Sequence, residues 1–152
     1  MSTTATDTPV RDDPSLADYR ALAAFRYHLR GFLASSEQRA RQAGLEPQHQ
    51  QLLLAIKGLP ERHAPTIGVL ADRLQIRHHT VVELLDRLVA KGLVVRTRAT
   101  ADRRQVRITL TRTGEERLAL LARDTLQALA ETGRPLQQAL RDVIAHAARS
   151  SA

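Results

Sequence analysis

Apolar positions recur along this chain at two different periods, and the places where the period changes divide it into elements. From Leu16 to Arg41 the apolar members Leu16, Tyr19, Leu22, Ala23, Leu29, Phe32 and Leu33 keep a helical spacing, and the pattern stops near Gly44. Thr66 is a good helix N-cap, and behind it Ile67, Leu70, Ala71 and Leu74 share one face of a short helix. Gln75-Ile76-Arg77 is long enough for a turn. A further helix then runs from about His78 to Lys91 with Val81, Leu84, Leu85 and Leu88 as its buried stripe, and Gly92 closes it in the left-handed conformation. Two helices joined by about three residues, with the small Ala71 where they would cross, form a helix-turn-helix pattern.

After Gly92 the period changes from helical to alternating. Leu93-Val94-Val95 and Val106-Arg107-Ile108-Thr109-Leu110 have the β-branched character of paired strands. A helix-turn-helix followed at once by a hairpin is a winged helix-turn-helix. Beyond it, Gly114 to Thr132 is Ala/Leu-rich and helical. Gly133-Arg134-Pro135 breaks it, with Pro135 suited to the first position of a last helix striped by Leu136, Leu140, Val143, Ile144 and Ala147. The expected fold is mainly α with a small β-hairpin. It comprises a winged helix-turn-helix lobe over residues 46–112, a dimerisation helix over 15–45 and C-terminal dimerisation helices over 113–149. Residues 1–14, polar and carrying acids and prolines, are expected to form a disordered arm. A winged helix alone offers too little surface to bury three long apolar stripes, so a second copy of the chain is the expected partner.

Charge sharpens the picture through its distribution. The chain of 152 residues has a formal net charge of +7. Ala71 to Arg112 holds ten basic residues against four acids, a local excess of +6 in about a quarter of the length. Arg96, Arg98, Arg103 and Arg104 crowd the hairpin turn, where Asp102 is the lone acid. Such a concentrated footprint favours a polyanion, and phosphate first.

The segment LVVRTRATADRRQVRITLTRTG resembles the wing and following helix start of the MarR family of bacterial transcription regulators. Asp102-Arg103-Arg104, the branched apolar strand, and Leu110-Thr111 ahead of Gly114 match that family's pattern without a gap. Leu45 to Leu53 is similar to its second helix and Thr66 to Leu93 to its helix-turn-helix, so the resemblance covers roughly Leu16 to Arg149. Glu46 departs from it, because the family often places a capping Thr there. The resemblance implies a homodimeric, ligand-responsive repressor whose first and last helices interlock between protomers.

In the helix-turn-helix docking mode the second helix enters the major groove N-terminus first. Its early outward residues Arg77, His78, His79, Val82 and Glu83 are the candidates for base edges. Arg77 suits guanine O6 and N7, Glu83 suits cytosine N4, and Val82, read as exposed, suits a thymine methyl. Arg87, one turn on, suits phosphate; alternatively Glu83 and Arg87 simply pair at i,i+4. Arg96, Arg98 and Arg103 are expected on backbone phosphates. The resemblance implies Arg104 in the minor groove, braced by Asp102, although Asp102 also suits a plain turn-starting role. For an effector, small and aromatic or anionic, the candidates are Arg26, Tyr27, His28, Arg30, Phe32 and His49, each of which is equally suited to an ordinary core or surface place.

The chain has no cysteine and therefore no thiol chemistry. It has no Gly-rich phosphate loop and no nucleophile motif, so no enzyme, cofactor or metal site is expected. Neither a membrane span nor a signal-peptide core is legible, and a cytoplasmic protein on double-stranded DNA is the expectation. The competing reading is an architectural DNA binder indifferent to sequence. Glu83 speaks against it, since a carboxylate would repel a random backbone.

Overall fold

The computed structural model describes residues 13–98 and 106–149, and the order of elements is six helices with one hairpin between the fourth and fifth. They are α1 (Leu16–Gln42), α2 (Pro47–Lys57), α3 (Ile67–Leu74), α4 (His78–Ala90), β1 (Val94–Arg98), β2 (Val106–Leu110), α5 (Arg112–Thr132) and α6 (Arg134–Arg149). The chain divides into two compact units, one of residues 34–128 and one of residues 1–33 with 129–152.

The larger unit holds the apolar core. Leu52, Leu53 and Ile56 of α2, Leu70 and Ala71 of α3, and Val81, Leu84, Leu85 and Leu88 of α4 pack together. Leu93, Val94, Ile108, Leu118 and Leu121 close the cluster from the hairpin and α5. The α4 stripe arises because positions three and four apart share a helix face, which leaves the intervening polar residues outside. Ala71 is buried where α3 meets α4, as its small size requires. Thr66 caps α3 by accepting the Val69 N–H at 3.4 Å.

The turn between α3 and α4 has a feature that composition did not disclose. Gln75 is left-handed (φ 54°), a conformation usually left to Gly or Asn, and its N–H returns to the carbonyls of Ala71 and Asp72. Gly92 takes the expected left-handed place after α4 (φ 69°), and Leu93 N–H then closes on Leu88 O at 3.0 Å.

Three boundaries differ from the sequence expectation. Leu93 is a core plug rather than a strand residue, because its N–H completes the α4 terminus. The strand therefore starts at Val94 and runs to Arg98, paired antiparallel from Val94↔Leu110 to Arg98↔Val106. The fifth helix starts at Arg112, not Gly114, because Thr111 caps it. The Thr111 Oγ accepts the Gly114 N–H at 3.0 Å and donates to Gly92 O at 2.6 Å. Arg134 takes the first position of α6 and Pro135 the second, where its missing N–H is equally harmless. Glu46 precedes α2 without a side-chain capping bond, so the local departure at that position leaves the cap unfilled.

In the smaller unit, α1 opens on a capping box. Ser15 N–H and Oγ both donate to Asp18 Oδ2, at 2.8 and 2.7 Å, while Asp18 N–H donates back to Ser15 Oγ. Asp18 also meets His146 Nδ1 of α6 at 2.7 Å. The two Ser15 bonds, then the His146 contact, hold the Asp18 carboxyl below its ordinary pKa. Little of the apolar stripe here is covered. Leu16, Tyr19, Leu22 and Leu33 of α1, and Leu140 and Ile144 of α6, are exposed, Leu16 by 64%.

Candidate nucleic-acid interface

With Val81, Leu84, Leu85 and Leu88 turned into the core, α4 presents Arg77, His78, His79, Glu83 and Arg87 to solvent. Arg77 is the N-cap residue and makes no side-chain cap bond, so its guanidinium is not tied to the helix. A Cβ on Gly68 would stand 3.7 Å from His78 Cε1, which places that imidazole against the start of α3. Val82 corrects the expectation of an exposed valine. It is half-buried, and its carbonyl faces the Arg96 guanidinium at 3.4 Å. Among the described residues Glu83 and Arg87 form no ion pair with each other.

Arg96 has a role that the sequence did not suggest. Its guanidinium forms an ion pair with Asp86 of α4 at 2.7 Å. It therefore joins β1 to the middle of α4. Arg98, one pleat further out, is exposed and has no ion-pair partner among the described residues. Asp102, Arg103 and Arg104 lie outside the described residues. The register nevertheless makes Arg98 and Val106 the last pair before the segment that holds them.

Sequence reading also passed over one basic position on the second wing strand. Arg107 on β2 lines a cleft of about 490 Å³ with Arg62 and His63 of the loop before α3. Ile108 N–H donates to Pro65 O at 3.1 Å, fixing that loop against the strand. The available signal was the local charge count, to which Arg107 contributed without being assigned a place.

Of the effector candidates, Arg26, Tyr27, His28, Arg30 and Phe32 fall on the middle of α1. Arg26 and Arg30 are exposed and Tyr27 is 73% exposed, while His28 and Phe32 are half-buried. Tyr27 and His28 meet edge to face with ring centroids 5.1 Å apart. His49 belongs to the other unit. It is only 2% exposed, with neither ring nitrogen hydrogen-bonded, and lines a cleft of about 580 Å³ with Arg41, Glu46 and Arg87. Burial first, then the charges of Lys91 and Arg87, push its pKa below the ordinary histidine value, against a weaker opposing pull from Glu46. Among the described residues, no three His, Asp or Glu side chains converge as metal ligands, and no helix is long and apolar enough to cross a membrane.

Residues 43–105, from the end of α1 through α2, α3, α4 and β1, match the sequence model of the MarR family. Over that segment the chain is similar to the MarR family. The MarR-family protein of Bacillus stearothermophilus is 26% identical, with 74% of this chain and 79% of that one covered and a TM-score of 0.58. The transcriptional repressor CouR, bound to a 23-mer DNA duplex, is 25% identical over 90% of this chain and 99% of its own, with a TM-score of 0.63. CouR from Rhodococcus jostii is also similar in its complex with p-coumaroyl-CoA, at a TM-score of 0.67 and 20% identity over 86% of this chain and 93% of its own. A Staphylococcus aureus MepR variant bound to an oligodeoxyribonucleotide shares the fold, at a TM-score of 0.58 and 21% identity over 84% of this chain and 96% of its own. Among curated proteins there is no sequence match. The MarR architecture of six helices and a winged hairpin thus extends well beyond the 43–105 segment.

Proposed function

We propose that this protein is a sequence-specific DNA-binding transcription regulator that acts as a homodimer and represses until a small ligand releases it. The observation that carries the reading is the outer face of α4. Arg77, His79 and Glu83 stand in solvent and make no side-chain hydrogen bond or ion pair among the described residues, beside an arginine-bearing strand that Arg96 and Asp86 pin to the same helix. Groove-reading helices need base-contacting side chains of this kind, held by a rigid support. Arg77, His78, His79, Val82 and Glu83 take the base-reading role, and Arg87, Arg98 and Arg103 the phosphates. Arg104 enters the minor groove braced by Asp102.

Dimerisation is supported by the uncovered leucines of α1 and α6, which form more apolar surface than a monomer ordinarily leaves in water. Symmetry then gives a pseudo-palindromic operator with half-sites about one helical turn apart. The DNA-bound and ligand-bound relatives support the repressor reading by likeness of fold.

Fluorescence anisotropy with the protein's own upstream intergenic DNA, beside a scrambled duplex and at several salt concentrations, tests it. Preference for the native duplex with a steep salt slope is expected. Equal binding to both duplexes favours the architectural alternative, and absence of binding at low salt refutes both.

A further inference from the structure

We propose that the cleft between the end of α1, the start of α2 and the far end of α4 binds a small hydroxylated carboxylate of the sugar-acid type. The inference rests on the regulator reading only for its consequence, which is that a ligand there would touch the recognition helix. Of the six effector candidates, His49 lines this cleft, and the other five, on α1, do not. Its volume of about 580 Å³ is within the usual range for small-molecule sites.

The walls decide the ligand class. Pro47 and Leu84 are the apolar members of the lining, and the rest is charged or amide-bearing, including Arg41, Gln48, Gln51 and Arg87. An aromatic ring would find little to stack on, whereas hydroxyl groups would find donors and acceptors. His49 is the polar group whose present state most needs a ligand. It is buried, lines the cleft, and has both ring nitrogens without a hydrogen-bond partner, a costly condition for a polar group. A neutral imidazole carries one donor and one acceptor, and a hydroxyl complements both. Burial first, then the neighbouring cations Lys91 and Arg87, lower its pKa and so disfavour the protonated ring.

Charge places the carboxylate. Arg41 is already engaged by Glu37 at 3.5 Å, but Arg87 has no ion pair among the described residues and reaches the cleft from α4. A carboxylate on Arg87 would form a charge-assisted pair. Glu46, which makes no capping bond, remains free to accept from a ligand hydroxyl. Leu84 and Arg87 belong to α4, so occupation acts directly on the helix proposed to read DNA.

The test is isothermal titration of the full chain, without DNA, using sodium gluconate as the probe and glucose and benzoate as controls. Saturable gluconate binding is expected, with each control weaker by about tenfold or more. Arg87→Gln and Gln51→Leu, both at exposed positions, are each expected to weaken gluconate binding by about tenfold, with unchanged thermal melting. No heat of binding at about 10 mM gluconate, benzoate binding as tight as gluconate, or gluconate binding indifferent to both substitutions would overturn the proposal. A protein that takes gluconate yet ignores DNA would retain this site and lose the regulator reading. A protein that binds its operator and ignores gluconate would do the reverse.

Discussion

Replacing Gly114 by Ala is expected to destabilise the protein by an amount out of proportion to one methyl group. Gly114 is buried at the start of α5, and a Cβ built on it would overlap the carbonyl oxygen of Leu93 and stand 3.0 Å from the Leu93 carbonyl carbon. Those atoms belong to backbone that cannot retreat easily. Leu93 is only 1% exposed, its N–H is bonded to Leu88 O at 3.0 Å, and its carbonyl accepts the Thr111 N–H at 3.0 Å. Either α5 lifts away from the α4–β1 joint or the Thr111–Leu93 bond breaks. Overpacking typically costs about 1–3 kcal/mol. Loss of a buried backbone bond costs about 1–3 kcal/mol more. A combined loss of about 2–6 kcal/mol is a large fraction of the usual ~5–15 kcal/mol. Urea unfolding at fixed protein concentration measures it, since the stability of the proposed dimer would depend on concentration. Thr113→Ala, at the exposed neighbouring position, is the control and is expected to change stability by less than about 0.5 kcal/mol. A Gly114→Ala protein within that same margin of wild type would refute the close-approach argument.

Gly92→Ala is expected to cost about 1–2 kcal/mol, because φ there is 69° although nothing crowds the added methyl; equal urea midpoints would contradict the backbone explanation. Arg98→Gln is expected to flatten the salt dependence of DNA binding by about 1.8 in log–log slope for a dimer, from two lost phosphate contacts. Arg96→Gln, with its guanidinium tied to Asp86, is expected to lower affinity at nearly constant slope, and identical slope changes in the two variants would count against the tether. For His49 the folded pKa lies below the ordinary 6.5. As pH falls below about 6.5 the unfolded chain takes up a proton that the folded chain resists, so stability drops. His49→Gln should therefore show a smaller loss of urea midpoint between about pH 7.5 and pH 5.5 than wild type, and an equal loss would remove His49 from the pH response.

Much of the helix-turn-helix was legible because local chemistry and burial point the same way there. The α4 stripe, the Thr66 cap and the Gly92 stop each depend on neighbours within a few residues, as does the alternation that gives β2. The outward face of α4 follows from the same period, and so do most of the proposed DNA-reading residues. Val82 shows the limit of periodicity: it stands on the outward side by spacing, yet β1 lies close enough for Arg96 to reach its carbonyl.

What the sequence by itself determined was the order of elements, the faces that α3 and α4 would bury, and the gathering of positive charge around one hairpin. These are properties of spacing and composition. The tertiary structure alone decided which charges already have protein partners and which polar groups lack them. The Arg96–Asp86 pair, the approach of Gly114 to Leu93 and the orphaned ring of His49 each join positions on different elements. A one-dimensional pattern holds no distance between such positions. Only the packed chain turns an arginine into a tether, a glycine into a necessity and a histidine into the wall of a cleft.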